Sequence, residues 1–235
     1  MRKTLILAAT LAVAGPTVAL HWPREARVAA QVVMAQFVNP AVPDAHLVPT
    51  TPEAARLITA AEAQVGVTSR YDPAYVTLAF PGGDVPAERG VCTDVVIRAL
   101  RAGLGIDLQA AVHHDMTRNF QAYPALWGLT RPDANIDHRR VPNLEALFRR
   151  TGAEVPIGPT PAAFRPGDIV TSRLPDNRPH VMIVTARISP DGTPLVAHNI
   201  GAGVRIENAL FDYPLSAQFR LTPDVLARLS GLANQ

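Results

Sequence analysis

Cysteine occurs once in these 235 residues, as Cys92. A single thiol forbids an internal disulfide and any C-x-x-C metal or redox pair. Lysine also occurs once, at Lys3, so arginine supplies the cationic side chains of the remaining chain. No Lys/Arg block is present, which argues against a nucleic-acid partner. Internal repeats, low-complexity tracts and an H-E-x-x-H pair are likewise missing. The one long apolar run, Thr4 to Gly15, is too short to span a bilayer.

That run has another reading. Met1-Arg2-Lys3 is a short basic head, the apolar stretch follows, and Thr17 and Ala19 supply small residues before a cut. The pattern predicts a secretory signal peptide over 1–19, cleaved after Ala19, and export to the periplasm or cell envelope. No cysteine lies near the cut, so a lipid anchor is excluded and no stable membrane insertion is expected. Arg2 and Lys3 leave with the segment, so the remaining chain carries 20 basic and 20 acidic side chains. Its neutral balance removes any argument from the basic isoelectric point. The expected layout is a signal peptide over 1–19, an N-terminal extension and linker over 20–52, and one domain over 53–235. In an oxidising compartment a lone thiol is either buried or used.

Helices come first along the chain. Residues 22–37 predict a short helix. Thr51-Pro52-Glu53 predicts a capped start for one running through Leu57, Ile58, Ala61 and Val65 to Gly66. Ala74 to Phe80 alternates as a strand. Gly90 and Gly103 bracket a helix carrying Cys92 in its first turn, with Val95, Val96, Ala99 and Leu100 on one face. Asp107 caps a helix to about Phe120, and Pro142-Asn143 opens another. From Pro166 the texture turns to short strands, 167–171, 180–185 and 194–200, separated by Pro, Asp and Gly as in an antiparallel meander. The expected fold class is α+β, helices packed on an antiparallel sheet.

A thiol at a helix N-terminus sees unpaired N–H groups and the positive end of the macrodipole, which favour the thiolate. His180 begins one strand and His198 lies near the end of the next. In antiparallel neighbours the start of one strand lies beside the end of the other, which allows the two histidines to be neighbours, although spacing alone does not show that they meet. Cys92, His180 and an orienting polar residue would form a nucleophile, a base and its holder.

The order Cys92 at a helix start, Pro166-Gly167-Asp168-Ile169-Val170, His180-Val181-Met182-Ile183-Val184 and then His198 resembles the NlpC-type branch of the papain-like cysteine peptidases, bacterial cell-wall enzymes. The resemblance covers about residues 70 to 221. Gly90-Val91-Cys92-Thr93-Asp94, Ala134 to Arg140, and His198-Asn199-Ile200-Gly201 resemble, more closely, a bacterial envelope family catalogued as domain of unknown function 1287. The resemblance implies a papain-like fold, Cys92 as nucleophile, His180 as base and His198 as orienting residue. Asn199 is the rival for the third place. It also implies cleavage of an amide in peptidoglycan stem peptides, with peptidoglycan or a muropeptide as partner, no cofactor, and an envelope protein as a possible further partner. A peptidoglycan-binding module and an acyltransferase are the alternatives. Asp94 sits close to the thiol and opposes its ionisation unless paired, with Arg98 at i+4 the expected partner. Tyr71 and Tyr75 either line the site or belong to the core. His138, Arg139 and Arg140 either meet substrate carboxylates or pin their loop.

Three other patterns fail. Asp133-x-Asn135-x-Asp137 has His138 and Leu144 where a calcium loop needs Gly and Glu. His113-His114-Asp115 point apart on a helix, and Gly201-Ala202-Gly203 is too short for a phosphate loop. No metal is expected.

Overall fold

Helix α1 (Pro52–Glu62) starts as its sequence demands: the Thr51 hydroxyl accepts the Ala54 N–H at 3.1 Å, with Pro52 at the first helical position. The structure, a computed structural model, describes residues 46–235. The expectations for 1–19, for a helix over 22–37 and for most of the 20–52 linker lie outside the described residues. Leu57, Ile58 and Ala61 are buried, but the helix ends four residues before Gly66 and leaves Val65 exposed. Short strands β1 (Arg70–Tyr71) and β2 (Arg89–Gly90) pair in parallel and bring the chain to helix α2 (Cys92–Leu104).

Val95, Val96, Ala99 and Leu100 are all buried, as their spacing requires. Gly103 is not the terminator. A Cβ there would lie 2.7 Å from the Arg56 carbonyl, so the glycine lets α1 and α2 approach closely. Gly105, at φ 68°, ends the helix in the left-handed region. Asp107 then caps α3 (Leu108–Asn119), and α4 (Val141–Arg150) follows an irregular stretch.

The expected strand over Ala74–Phe80 does not form. Its alternation is genuine but no strand lies beside it. Its backbone is held by side chains instead: Asn135 Oδ1 accepts from Leu78 N–H at 2.8 Å, Gln109 Nε2 donates to Ala79 O at 2.9 Å, and Arg139 Nη1 to Ala74 O at 3.1 Å.

The sheet contains β3 (Glu154–Val155), β4 (Ile169–Arg173), β5 (Pro179–Ile188), β6 (Pro194–Asn199), β7 (Val204–Glu207) and β8 (Leu215–Phe219). Its order is β3-β8-β4-β5-β6-β7, with antiparallel neighbours throughout. The meander β4 to β7 was expected as far as β6; β7, β8 and the closing helix α5 (Pro223–Ala233) extend it. Alternation divides the strands. Ile169, Val181, Ile183, Ala197 and Phe219 pack with Leu100, Leu144 and Phe148 of the helices, while Val170, Met182, Val184 and Val196 pack on the other side with Phe164 and Leu210. Each fully buried Leu, Ile or Phe contributes about 1.5–3 kcal/mol, so the helix side carries most of the hydrophobic stabilisation. The fold is α+β. No helix of the described residues is long and apolar enough to cross a membrane.

Candidate active site

Cys92 stands at the first position of α2 and is 5% exposed. The residue before it, Val91, has no side-chain oxygen to cap the helix. Asp94 does the work from inside, accepting the Val91 N–H at 2.6 Å. Asp94 is not paired with Arg98. Its two oxygens take Arg139 Nε and Nη2 at 3.0 Å each, and both side chains are 2% exposed. Arg139 also donates to the carbonyls of Asp72 and Ala74, and its own carbonyl accepts from Thr93 Oγ1 at 3.0 Å. Arg98 turns the other way, to Asp84 and to the carbonyls of Val85 and Arg89. The bidentate pair needed a fork reaching 45 positions along the chain, which helical spacing does not reveal.

The sheet opens beside this helix end. Between β5 and β6 the ladder includes Ile183↔Ala197 and Val184↔Val196. Ahead of that point Val181 and His180 pair with β4, while His198 and Asn199 pair with β7. The start of α2 lies at this opening. Cys92 packs in one core with Val181, and Asn199 Nδ2 donates to Gly90 O at 3.0 Å.

The two histidines meet as expected. His180 Nε2 lies 2.9 Å from His198 Nδ1, and each residue is 2% exposed. Asn199, the rival, faces the α2 side and holds the loop before Cys92. His198 Nε2 continues the chain to Glu207 Oε2 at 3.2 Å. Glu207 was not foreseen: it is a lone acid on a four-residue strand, brought to His198 by the β6–β7 hairpin register. Among the described residues, the hydrogen bonds of His180 run to His198 and not to Cys92.

The electrostatics reverse one expectation. Burial pushes the Cys92 thiol up to about 11, and the Asp94 charge adds to that, against the amides of Val181, Thr93 and Cys92 itself. Burial outweighs the helix terminus because the sulfur has lost its water. Burial and then the His198 ring push His180 down to about 3. At neutral pH the pair rests as thiol and neutral imidazole.

A cleft of about 340 Å3 lies in front of Cys92, lined by Tyr71, Trp127, Ile136, Arg140, Arg178 and Pro179 among others. Such a volume accommodates a short peptide segment. Burial raises the Tyr71 phenol and the neighbouring Cys92 adds to the rise, so Tyr71 belongs to the site. Tyr75 does not line it. Its hydroxyl donates to Asp133 Oδ2 and it is 58% exposed. The Arg140 guanidinium lies 4.0 Å from the Trp127 ring centre and pairs with Asp137. His138 is buried, with its Nδ1 unpartnered, and burial pushes it down to about 4. Arg139 and Arg140 both line the cleft and His138 does not, but the Arg139 guanidinium is bound to Asp94 and 2% exposed.

Among the described residues no group of three or more His, Cys, Asp or Glu is placed to hold a metal. His113 packs edge-on to Phe80, His114 faces the Leu232 carbonyl, and Asp115 binds Arg150 and Tyr123.

The model of the family described as Domain of unknown function (DUF1287) matches residues 58–221. The chain belongs to this family. The match takes in the DUF1287 chain from within α1 past β8, and so holds Cys92, His180, His198 and Glu207 together. The chain is also similar to the uncharacterized protein YijF of Escherichia coli (strain K12), 53% identical over 160 residues that cover 68% of this chain and 78% of that protein.

Proposed function

We propose that this DUF1287 chain is an exported cysteine hydrolase of the papain-like, NlpC-type superfamily, acting on amide bonds of peptidoglycan stem peptides. The observation that carries the reading is the pairing at the sheet opening. Cys92 packs in one core with Val181, the residue after His180, and His180 Nε2 is tied to His198 Nδ1 at 2.9 Å. That leaves the His180 Nδ1 as its free ring nitrogen.

In this mechanism Cys92 attacks the scissile carbonyl carbon as its proton passes to His180. The proton moves with the attack, because a thiol near 11 and an imidazole near 3 do not exchange it beforehand. The Cys92 backbone N–H, at the start of α2, supports the oxyanion. His180 then returns the proton to the departing amine. Water enters, gives a proton to His180 and cleaves the thioester, which frees the acid and restores the thiol. Catalytic hydrogen bonds that are long in a ligand-free enzyme tighten when substrate closes the site.

The raised thiol and the missing Cys92–His180 bond favour a second reading, a peptidoglycan-binding module that keeps the fold without the chemistry. An acyltransferase, with an amine or alcohol in place of water, is a variant of the first. The test is to incubate purified sacculi with the full chain and with Cys92→Ser, then weigh the released fragments. Hydrolysis predicts fragments one water heavier than the parent linkage, absent with Cys92→Ser. Sacculi retained by both proteins with no fragments from either would establish the module.

A further inference from the structure

The second ring nitrogen of His198 is 3.2 Å from a carboxylate oxygen, and that contact has a directional consequence. An ionised carboxylate can only accept, so the proton of that bond belongs to His198 Nε2. A neutral imidazole carries one N–H, so His198 Nδ1 is then bare. The 2.9 Å contact to His180 Nε2 must therefore be donated by His180. His180 in turn keeps no proton on Nδ1. We infer that Glu207 is a positioning residue that sets the tautomers of both histidines through this chain of hydrogen bonds and holds His180 Nδ1 bare.

The catalytic consequence rests on the hydrolase reading above, because a bare Nδ1 is the form a base requires. Without Glu207 the pair has two equivalent arrangements. In the other, His198 donates from Nδ1 to His180 Nε2 and the His180 proton moves to Nδ1, which blocks it as a base. The carboxylate removes that choice. Its placement is specific. Glu207 pairs across the hairpin with Val196, so it lies diagonal to His198 on the same sheet face. Its other oxygen stands 3.5 Å from Arg205 Nη1, an exposed contact that adds little to stability. Glu207 itself is 38% exposed at its side chain, whereas the rings it governs are buried, so its removal leaves the fold in place.

The experiment is long-range proton–nitrogen NMR of the full chain labelled at histidine, at pH 8, above the ordinary imidazole range of about 6.5. The wild type is expected to show Nε2 protonation at both His180 and His198. Glu207→Ala should show a fraction of His180 protonated at Nδ1. Glu207→Gln, whose carbonyl oxygen still accepts, should restore the wild-type pattern. In turnover of a muropeptide, Glu207→Ala should lose about tenfold to a hundredfold and Glu207→Gln much less, the scale typical of residues that orient a functional histidine. A wild-type His198 protonated at Nδ1, or identical spectra for wild type and Glu207→Ala, would overturn the assignment. Correct tautomers without turnover would refute the hydrolase and leave the role of Glu207 standing.

Discussion

Two buried polar groupings flank the opening between β5 and β6, and they differ in what they leave unused. In Asp94–Arg139 every strong valence is taken: both carboxylate oxygens are bound, and the guanidinium also reaches the carbonyls of Asp72 and Ala74. Both side chains are 2% exposed. The His180–His198–Glu207 chain is as dry in its middle but differs at its ends. Glu207 meets solvent, and His180 keeps one ring nitrogen outside the relay. A closed network fixes a shape; an open one can pass a proton. Arg139 of the motif Asp137-His138-Arg139-Arg140 therefore belongs to architecture, and on the hydrolase reading His180 and His198 belong to chemistry.

The comparison predicts that the two groupings fail in different ways. On the hydrolase reading, His180→Ala and Cys92→Ser should each lose about 10⁴-fold or more in kcat on a muropeptide, and the double variant should lose little beyond either, since residues acting as one unit are not additive. A double variant far worse than both singles would break the unit. Arg139→Ala should instead cost about 3–5 kcal/mol of stability, read by denaturant unfolding, because it strands a buried carboxylate. An unchanged midpoint would mean that the clamp does not hold α2.

The adjacent residues His198 and Asn199 repeat the contrast at smaller scale. Asn199→Ala removes a buried bond to the Gly90 carbonyl and should cost about 1–3 kcal/mol of stability. His198→Ala should reduce turnover more than it lowers the melting temperature, with His198→Gln or His198→Asn retaining part of the activity. The reverse assignment of effects would exchange their roles.

Within the range from about pH 6 to 8 the effects of pH are small, and they grow outside it. His180 and His138 have ordinary values of 6.5 and folded values of about 3 and about 4. Below pH 6.5 the unfolded chain binds protons that the folded one refuses, so their stability is complete above 6.5 and is lost as pH falls toward 4 and 3. Each group contributes a slope of at most about 1.4 kcal/mol per pH unit. Cys92 acts in the opposite sense, its contribution complete below 9.0 and lost as pH rises toward 11. The same burial predicts slow alkylation of Cys92 at pH 7, faster in unfolded protein and rising with pH. Rapid alkylation below pH 7 would show that the site ionises as an imidazolium–thiolate pair.

Periodicity made α2 legible, since its four apolar positions report burial directly. Strand direction brought His180 near the end of the next strand, but the choice of His198 over Asn199 as its neighbour came from the family resemblance, since adjacent residues face opposite sides. Three things were not legible. The segment 74–80 alternates like a strand, but alternation cannot say whether a partner strand exists, and here side chains supply the bonds. Asp94 suggested Arg98 because i+4 is the contact a helix offers, whereas the tertiary fold offered a better fork from Arg139. The thiol was expected to ionise easily because the helix end is visible in sequence and the loss of water around the sulfur is not. Glu207 escaped for the same reason: its register depends on a hairpin and no motif marks it.

Nucleophilic catalysis by Cys92 requires that its sulfur carry an acyl group during turnover. The full chain mixed with a purified muropeptide and quenched in acid within the first turnovers should show, by intact mass, an acyl adduct that maps to Cys92 and is absent from Cys92→Ser. Fragment release at equal rates from wild type and Cys92→Ser, with no adduct in either, would contradict it.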